Sequence, residues 1–277
     1  MQKVILILIG KLSSQVLLLS VTCFVSLSCM QRPALAPTQE GAQHFLKLRG
    51  YEFTATGFFS AVAERDLPSV NAFLAGGIDP NVRNEPDGRT ALITAAARGH
   101  EDIVNALLRG GADVNIKDNI GYTAFFHAIE ARYDDVADTL ISQPQLDANA
   151  RGKNGVTALM IYVWRDRKEA AERLLNKGAD VTLTDNDGDT ALHGAAEVGN
   201  VEITKMLLAK GANVNAKNKV GGTPLMWAAV YGNDNVVREL LKQGADPSLK
   251  DEDGVTALQW AVKNNRSDVV KALQRKE

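Results

Sequence analysis

Residues 157–167 read TALMIYVWRDR, and within it Tyr162, Trp164, Asp166 and Arg167 supply a phenol, an indole, a carboxylate and a guanidinium close together. Groups of those types can form an aromatic binding box for a small molecule or carry acid–base chemistry. They can equally be helix packing, and either chemical use requires a closed pocket that all four share. Other candidate chemistry is weaker. His44, His100, His127 and His193 show no i, i+4 pair that would set two imidazoles on one helix face for a metal. TDNDGDT (184–190) alternates Asp185, Asp187 and Asp189 as a calcium loop does, but Thr190 stands at the position that demands glycine and Ala196 at that of the glutamate. Gly-x-Ser-x-Gly, phosphate-loop and dinucleotide fingerprints are missing, so neither a cofactor nor enzyme chemistry is expected.

The whole chain has 277 residues, is 45% hydrophobic and 6% aromatic, and carries a formal charge of −2. That composition fits neither bulk disorder nor a many-span membrane protein. Neither half holds the basic excess that attracts phosphate backbones, which argues against nucleic acid as a partner. Cys23 and Cys29 both lie in the first thirty residues, so the remainder must be stable through packing alone, without disulfide or thiolate.

The first residues form a segment of their own. Lys3 and Lys11 precede a run from Leu12 to Ser28 without any charge, and the first acidic residue is Glu40. A basic start followed by an apolar stretch is the layout of an export signal. Three endings are open. Ser26-Leu27-Ser28-Cys29 resembles a bacterial lipobox, in which Cys29 is lipidated and becomes the mature N-terminus, although Ser26 departs from the usual leucine. Ala34-Leu35-Ala36 fits conventional cleavage, except that Pro37 would follow the cut. The 17 residues of Leu12 to Ser28 also reach the lower limit for an uncleaved anchor. Each ending places the folded part outside the cytoplasm. The expected division is 1–28 signal peptide, 29–39 tether with Pro33 and Pro37, and 40–277 folded domain.

A Gly-x-Thr triplet recurs at Gly88/Thr90, Gly121/Thr123, Gly155/Thr157, Gly188/Thr190, Gly221/Thr223 and Gly254/Thr256, with spacings of 33, 34, 33, 33 and 33. TALITAAARGHEDIVNALLRGGADVN, TALHGAAEVGNVEITKMLLAKGANVN and TPLMWAAVYGNDNVVRELLKQGADPS align on it without a gap. Each shared position has a physical use. The threonine caps a first helix, and Ala95-Ala96, Ala195-Ala196 and Ala228-Ala229 let neighbouring first helices approach. Gly99, Gly199 and Gly232 end that helix left-handed. Ile103, Val104, Leu107 and Leu108 then form one apolar face of a second helix, as Val201, Ile203, Leu207 and Leu208 do later. GADVN at 111–115, and 178–182 with Thr182 for Asn, begin a hairpin-like loop.

The period and the T-P-L-H-x-A pattern resemble the ankyrin repeat over residues 55–277, about four fifths of the chain. The resemblance implies an all-α solenoid of about seven helix-turn-helix units, with atypical ends. GFFSAVAERDLPSVNAFLAGGIDPN (57–81) reads as the first unit with Gly57 in place of the threonine, Gln43 to Leu48 as a covering helix, and KALQRKE as a charged C-terminal cap. It assigns His193 to bonding between adjacent loops and His100 to the residue after the helix-ending glycine.

It further implies that specificity lies in the residue between glycine and threonine and the two before the helix-ending glycine. From those positions we select Tyr122, Glu130, Trp164, Arg165, Glu197, Val198, Val230 and Tyr231 as the candidate partner-binding residues on a concave loop and first-helix face. Tyr122, Trp164, Arg165 and Tyr231 are of types enriched in interface hot spots. The reading is a monomeric, non-enzymatic protein-binding scaffold, exported to the bacterial cell envelope and membrane-tethered, or secreted. The alternatives are a small-molecule or enzymatic site at Tyr162, Trp164, Asp166 and Arg167, and a cytoplasmic regulator. In this frame Tyr162-Val163 stand where other units have Ala-Ala, and Asp166 where they have glycine. Such a tyrosine either widens the seam or joins an aromatic centre on the binding face with Trp164 and Arg165 outward; the second is the expectation.

Overall fold

The computed structural model describes residues 38–274. The expected signal segment, Cys29 and residues 29–37 of the tether lie outside them. No described helix is long and apolar enough to cross a membrane. A lone helix, α1 (Gln39–Leu48), precedes seven helix pairs. These are α2 (Ala55–Ala63) with α3 (Leu67–Ala75), α4 (Ala91–Ala97) with α5 (Glu101–Arg109), and α6 (Ala124–Glu130) with α7 (Asp134–Ile141). Then follow α8 (Ala158–Trp164) with α9 (Lys168–Asn176), α10 (Ala191–Val198) with α11 (Val201–Ala209), α12 (Pro224–Tyr231) with α13 (Asp234–Lys242), and α14 (Ala257–Lys263) with α15 (Ser267–Gln274). Even-numbered helices from α2 onward stack in one row and odd-numbered ones from α3 in a second.

The shared residues do what their types demand. Thr90 Oγ1 accepts from the Ile93 amide at 3.3 Å, and Thr123, Thr157, Thr223 and Thr256 each cap their own helix in the same way at 3.4 Å. Gly99, Gly199 and Gly232 hold φ of 71°, 85° and 89°; at the same turn Arg65, Arg132, Asp166 and Asn265 are driven to 57°, 61°, 56° and 55°. A side chain in that region costs about 1–2 kcal/mol, so units 1, 3, 4 and 7 carry strain that glycine spares the other three. Ile103, Val104 and Leu107 are fully buried and Leu108 partly so, which gives the second helices their apolar seat.

Loops are joined by a ladder of asparagines. The side-chain oxygens of Asn81, Asn115 and Asn149 accept from the amides of Asp113, Asp147 and Asp180 in the following loop, each at 2.8 Å, and Asn215 accepts from Asp246 at 2.9 Å. Thr182 takes the asparagine's place between units 4 and 5, and its hydroxyl turns back to Asp180 at 2.6 Å. One rung is therefore missing.

The ends depart from expectation in detail. The covering helix starts at Gln39, earlier than the Gln43 expected, because Thr38 caps it, and it buries Ala42 and Leu46 against α3. The first unit has its threonine cap after all. Thr54 accepts from the Gly57 amide at 3.2 Å, so α2 begins three residues before the repeat frame. Gly57 lies inside the first turn, where an added Cβ would meet the Glu52 carbonyl at 2.2 Å.

The stack is uneven at one place. Adjacent first helices and adjacent second helices approach closely at every seam except that between units 3 and 4, where α6 and α8, and α7 and α9, stand farther apart. Bulky groups cause it: Ile129 and Tyr162-Val163 occupy the small-residue positions, and the Tyr162 ring packs 6.3 Å from that of Phe125. Unit 3 also lacks the glycine that ends other second helices, and Ser142-Gln143-Pro144-Gln145 makes the turn with one more residue, which is the source of the 34-residue spacing.

Candidate functional site

The helix register at α8 sends neighbouring side chains to opposite sides of the stack. Tyr162 is buried, 4% exposed, and its hydroxyl is pushed up by burial with the carboxylates of Asp138 and Asp134 adding. It thus faces the second helices, not the loop-side face. Trp164 faces the other way, against the backbone of Gly194, where an added Cβ would meet Nε1 at 2.5 Å. Asp166 is in the left-handed turn and accepts from Asn200 Nδ2, while Arg167 pairs with Asp134 at 2.8 Å. Tyr162, Trp164, Asp166 and Arg167 therefore share no cavity, which corrects the alternative that they form one chemical site. The tyrosine widens the seam instead of joining an aromatic centre, and that expectation too is corrected for Tyr162, though not for Trp164.

The widened seam opens as a cavity of about 270 Å³ lined by Tyr122, Phe126, Glu130, Lys153, Val156, Ile161, Trp164 and Arg165. Four of the eight candidates, Tyr122, Glu130, Trp164 and Arg165, thus come together. Tyr122 leans on Phe126 with ring centroids 5.6 Å apart, and Arg165 donates to the Ile129 carbonyl across the seam with Glu130 at 3.7 Å. Arg165 is therefore half committed to capping α6 and only half free.

Val230 and Tyr231 lie apart from that group, at a second cavity of about 270 Å³ between units 5 and 7, with Met226, Trp227 and Trp260. Tyr231 stacks nearly parallel on Trp227, centroids 5.9 Å apart at 7°. Trp260 Nε1 donates to Asp251 Oδ2 at 2.7 Å, and Lys263 Nζ lies 4.6 Å from its ring centre. Glu197 and Val198 sit between the two cavities at the end of α10, Glu197 half-buried and Val198 exposed.

The titratable groups on this face are mostly structural. His193 is buried; its Nδ1 accepts from the Thr190 amide at 3.1 Å and its Nε2 donates to the Gly222 carbonyl at 3.2 Å, linking two units. Burial holds it down at about 4, so it is neutral. His127 Nε2 meets Asp118 Oδ2 at 2.7 Å, and this bond holds the Asp118 carboxyl below its ordinary value against the pull of burial. His100 Nδ1 lies 3.2 Å from the Val62 carbonyl in the preceding unit. Asp185 accepts the amides of Asp187 and Asp189 at 2.9 Å, the work of a turn. Burial pushes Asp189 up to about 6, with Asp185, Asp187 and Glu197 adding and the Asn218 hydrogen bond opposing. Among the described residues no group of three or more histidine, cysteine or acidic side chains could hold a metal.

A family model described as ankyrin repeats matches three times, at residues 58–152, 144–218 and 216–277. The chain belongs to the ankyrin repeat family. The human neurogenic locus notch homolog protein 1 is 33% identical over 140 residues, which are 50% of this chain and 6% of that protein. The human notch homolog protein 2 is 32% identical over 128 residues, 46% of this chain and 5% of that one. The match thus spans a small part of these relatives. Among solved structures, the ankyrin repeat domain of Bcl-3 is similar with a TM-score of 0.65 and 31% identity over 77% of this chain and 97% of that one. An ankyrin repeat domain from Acinetobacter baumannii AYE has a TM-score of 0.61 and 33% identity, covering 66% and 95%.

Within this ankyrin stack, the sequence reading missed Phe126, Trp227 and Trp260 as lining residues. Trp227 and Tyr231 are four apart on α12, a spacing that puts two rings on one face and could have revealed the pair. Trp260 had no such local signal, because only the stacking of unit 7 on unit 6 brings it to the cavity.

Proposed function

We propose that this ankyrin protein is a non-catalytic scaffold that binds a partner protein through its loop tips and first helices, outside the cytoplasm of a bacterium and tethered to an envelope membrane. The observation that carries the binding reading is the convergence of Tyr122, Glu130, Trp164 and Arg165 around the open seam cavity. Large rings at the rim of a cavity, flanked by charge of both signs, have the composition of a binding hot spot. The tether rests on the uncharged run Leu12 to Ser28 followed by Cys29.

The test is crosslinking of the full chain in envelope membranes. Trp164→Ala is expected to abolish capture of the partner while leaving the melting temperature within a few degrees; capture that survives the substitution sinks the assignment of this face. Location is read separately from intact mass. A species starting at lipidated Cys29, converted by Cys29→Ser into one of another mass, supports the lipoprotein form, and a full-length mass replaces it with an uncleaved anchor.

A further inference from the structure

The cavity between units 5 and 7 differs from the seam cavity in its electrical surroundings. Three carboxylates border it. Asp251 holds the Trp260 indole; Asp189 accepts at 2.9 Å from Asn218, which lines the cavity; and the Glu197 carboxylate lies near enough to the hydroxyl of Tyr231, also a lining residue, to add to the upward push of burial on that hydroxyl. Asp185, Asp187 and Glu197 make no ion pair among the described residues, and Asp189 has only the neutral His193 at 4.0 Å. Nearby lysines leave this charge standing. Lys217 donates to the Lys250 carbonyl, Lys263 lies over Trp260, and Lys219 makes no ion pair among the described residues. The seam cavity, by contrast, has Lys153 and Arg165 lining it against Glu130.

The apolar part is open. Val220 is 60% exposed and Tyr231 43%, and both line the cavity with the Trp227 and Trp260 rings. An apolar hollow bordered by unpaired carboxylates complements a chain that carries a large apolar side chain beside a positive one.

We propose that units 5 to 7 dock an extended basic segment of the partner protein, seating one large apolar side chain among Trp227, Tyr231 and Trp260 and a neighbouring lysine or arginine against Asp187, Asp189 and Glu197. This rests on the protein-binding reading above and names the chemistry of the partner. Loop-tip spacing follows from the packing of successive first helices, about 8–10 Å apart, so a residue two or three positions along an extended segment reaches the carboxylates.

The full-length chain in detergent is panned against a random dodecapeptide library, and one enriched peptide is measured by tryptophan fluorescence. Enriched sequences carry net positive charge next to a leucine, methionine or aromatic residue. Affinity falls about tenfold or more with Tyr231→Ala and with Glu197→Lys, and weakens as salt rises. Val220→Lys, at an exposed position that cannot disturb the core, abolishes binding, whereas Val220→Glu keeps or strengthens it. Arg109→Ala, exposed at the end of α5 and away from this cavity, leaves it unchanged. Neutral or acidic enriched peptides, no enrichment, or indifference to both lysine substitutions overturns the proposal. Peptides that need Trp164 and not Tyr231 overturn it while leaving the protein-binding function standing. Self-association in sedimentation that Val220→Lys abolishes puts a second copy there and overturns it as well.

Discussion

His193 and Asp189 sit four residues apart and respond to acid in opposite senses. His193 is lowered to about 4 from its ordinary 6.5, so between these values the unfolded chain takes up the proton first. Its stabilisation is full above pH 6.5 and is lost as pH falls toward 4, to the extent of roughly 2–3 kcal/mol. Asp189 is raised to about 6 from 3.8, so its contribution is full below 3.8 and is lost as pH rises through 6. Removing one exposes the other. Asp189→Asn is expected to raise stability above pH 7 by about 1–2 kcal/mol and to steepen the loss on acidification, and His193→Gln to flatten that loss. Urea midpoints at pH 4.5 and 7.5 read the difference, and equal shifts at both pH values would contradict it. Tyr162 supplies a second prediction at this scale. As a ring 4% exposed, it costs about 3–5 kcal/mol when cut to alanine and under about 1 kcal/mol as Tyr162→Phe, which thermal melts would show.

Among the elements, the loop ladder is where one residue type decides whether neighbours are linked. Thr182 cannot reach the next loop as Asn81, Asn115, Asn149 and Asn215 do, since its hydroxyl is a bond shorter and already bound to Asp180. Thr182→Asn is expected to restore the rung and raise stability by about 0.5–1 kcal/mol, seen as a higher urea midpoint with unchanged slope. A lower midpoint would show that the backbone there departs from the ladder geometry. Most of the element pattern was legible in sequence, because caps, helix-ending glycines and apolar faces are all local. What escaped was Thr54 as the cap of α2, since the aligned frame pointed to Gly57 and the chain shifted the helix start to a threonine outside the frame.

For the whole molecule the seam between units 3 and 4 matters most. A solenoid's cooperativity is a chain of nearest-neighbour interfaces, and one wide interface divides it. Units 1–3 and 4–7 are therefore expected to unfold separately. All three tryptophans, Trp164, Trp227 and Trp260, lie in units 4–7, so in urea the far-ultraviolet dichroism should begin to fall before the tryptophan signal moves. Coincident curves would mean that Phe125 and Tyr162 weld the seam instead of weakening it.

The repeat and its helix pairs followed from the sequence alone, because each rests on spacing within one unit and on side-chain type, while the candidate binding positions came with the ankyrin resemblance. Grouping was decided by stacking. The eight candidates separated into Tyr122, Glu130, Trp164 and Arg165 at one cavity, Val230 and Tyr231 at another, and Glu197 and Val198 between them. Tyr162 and Trp164, two residues apart, went to opposite sides of the stack, since a helix turns about 100° per residue and the bulk of one had to be absorbed between second helices while the other met the backbone of Gly194. A one-dimensional pattern identifies which positions vary; which of them meet depends on how far apart neighbouring units stand, and that distance is set by side-chain volumes from both units together.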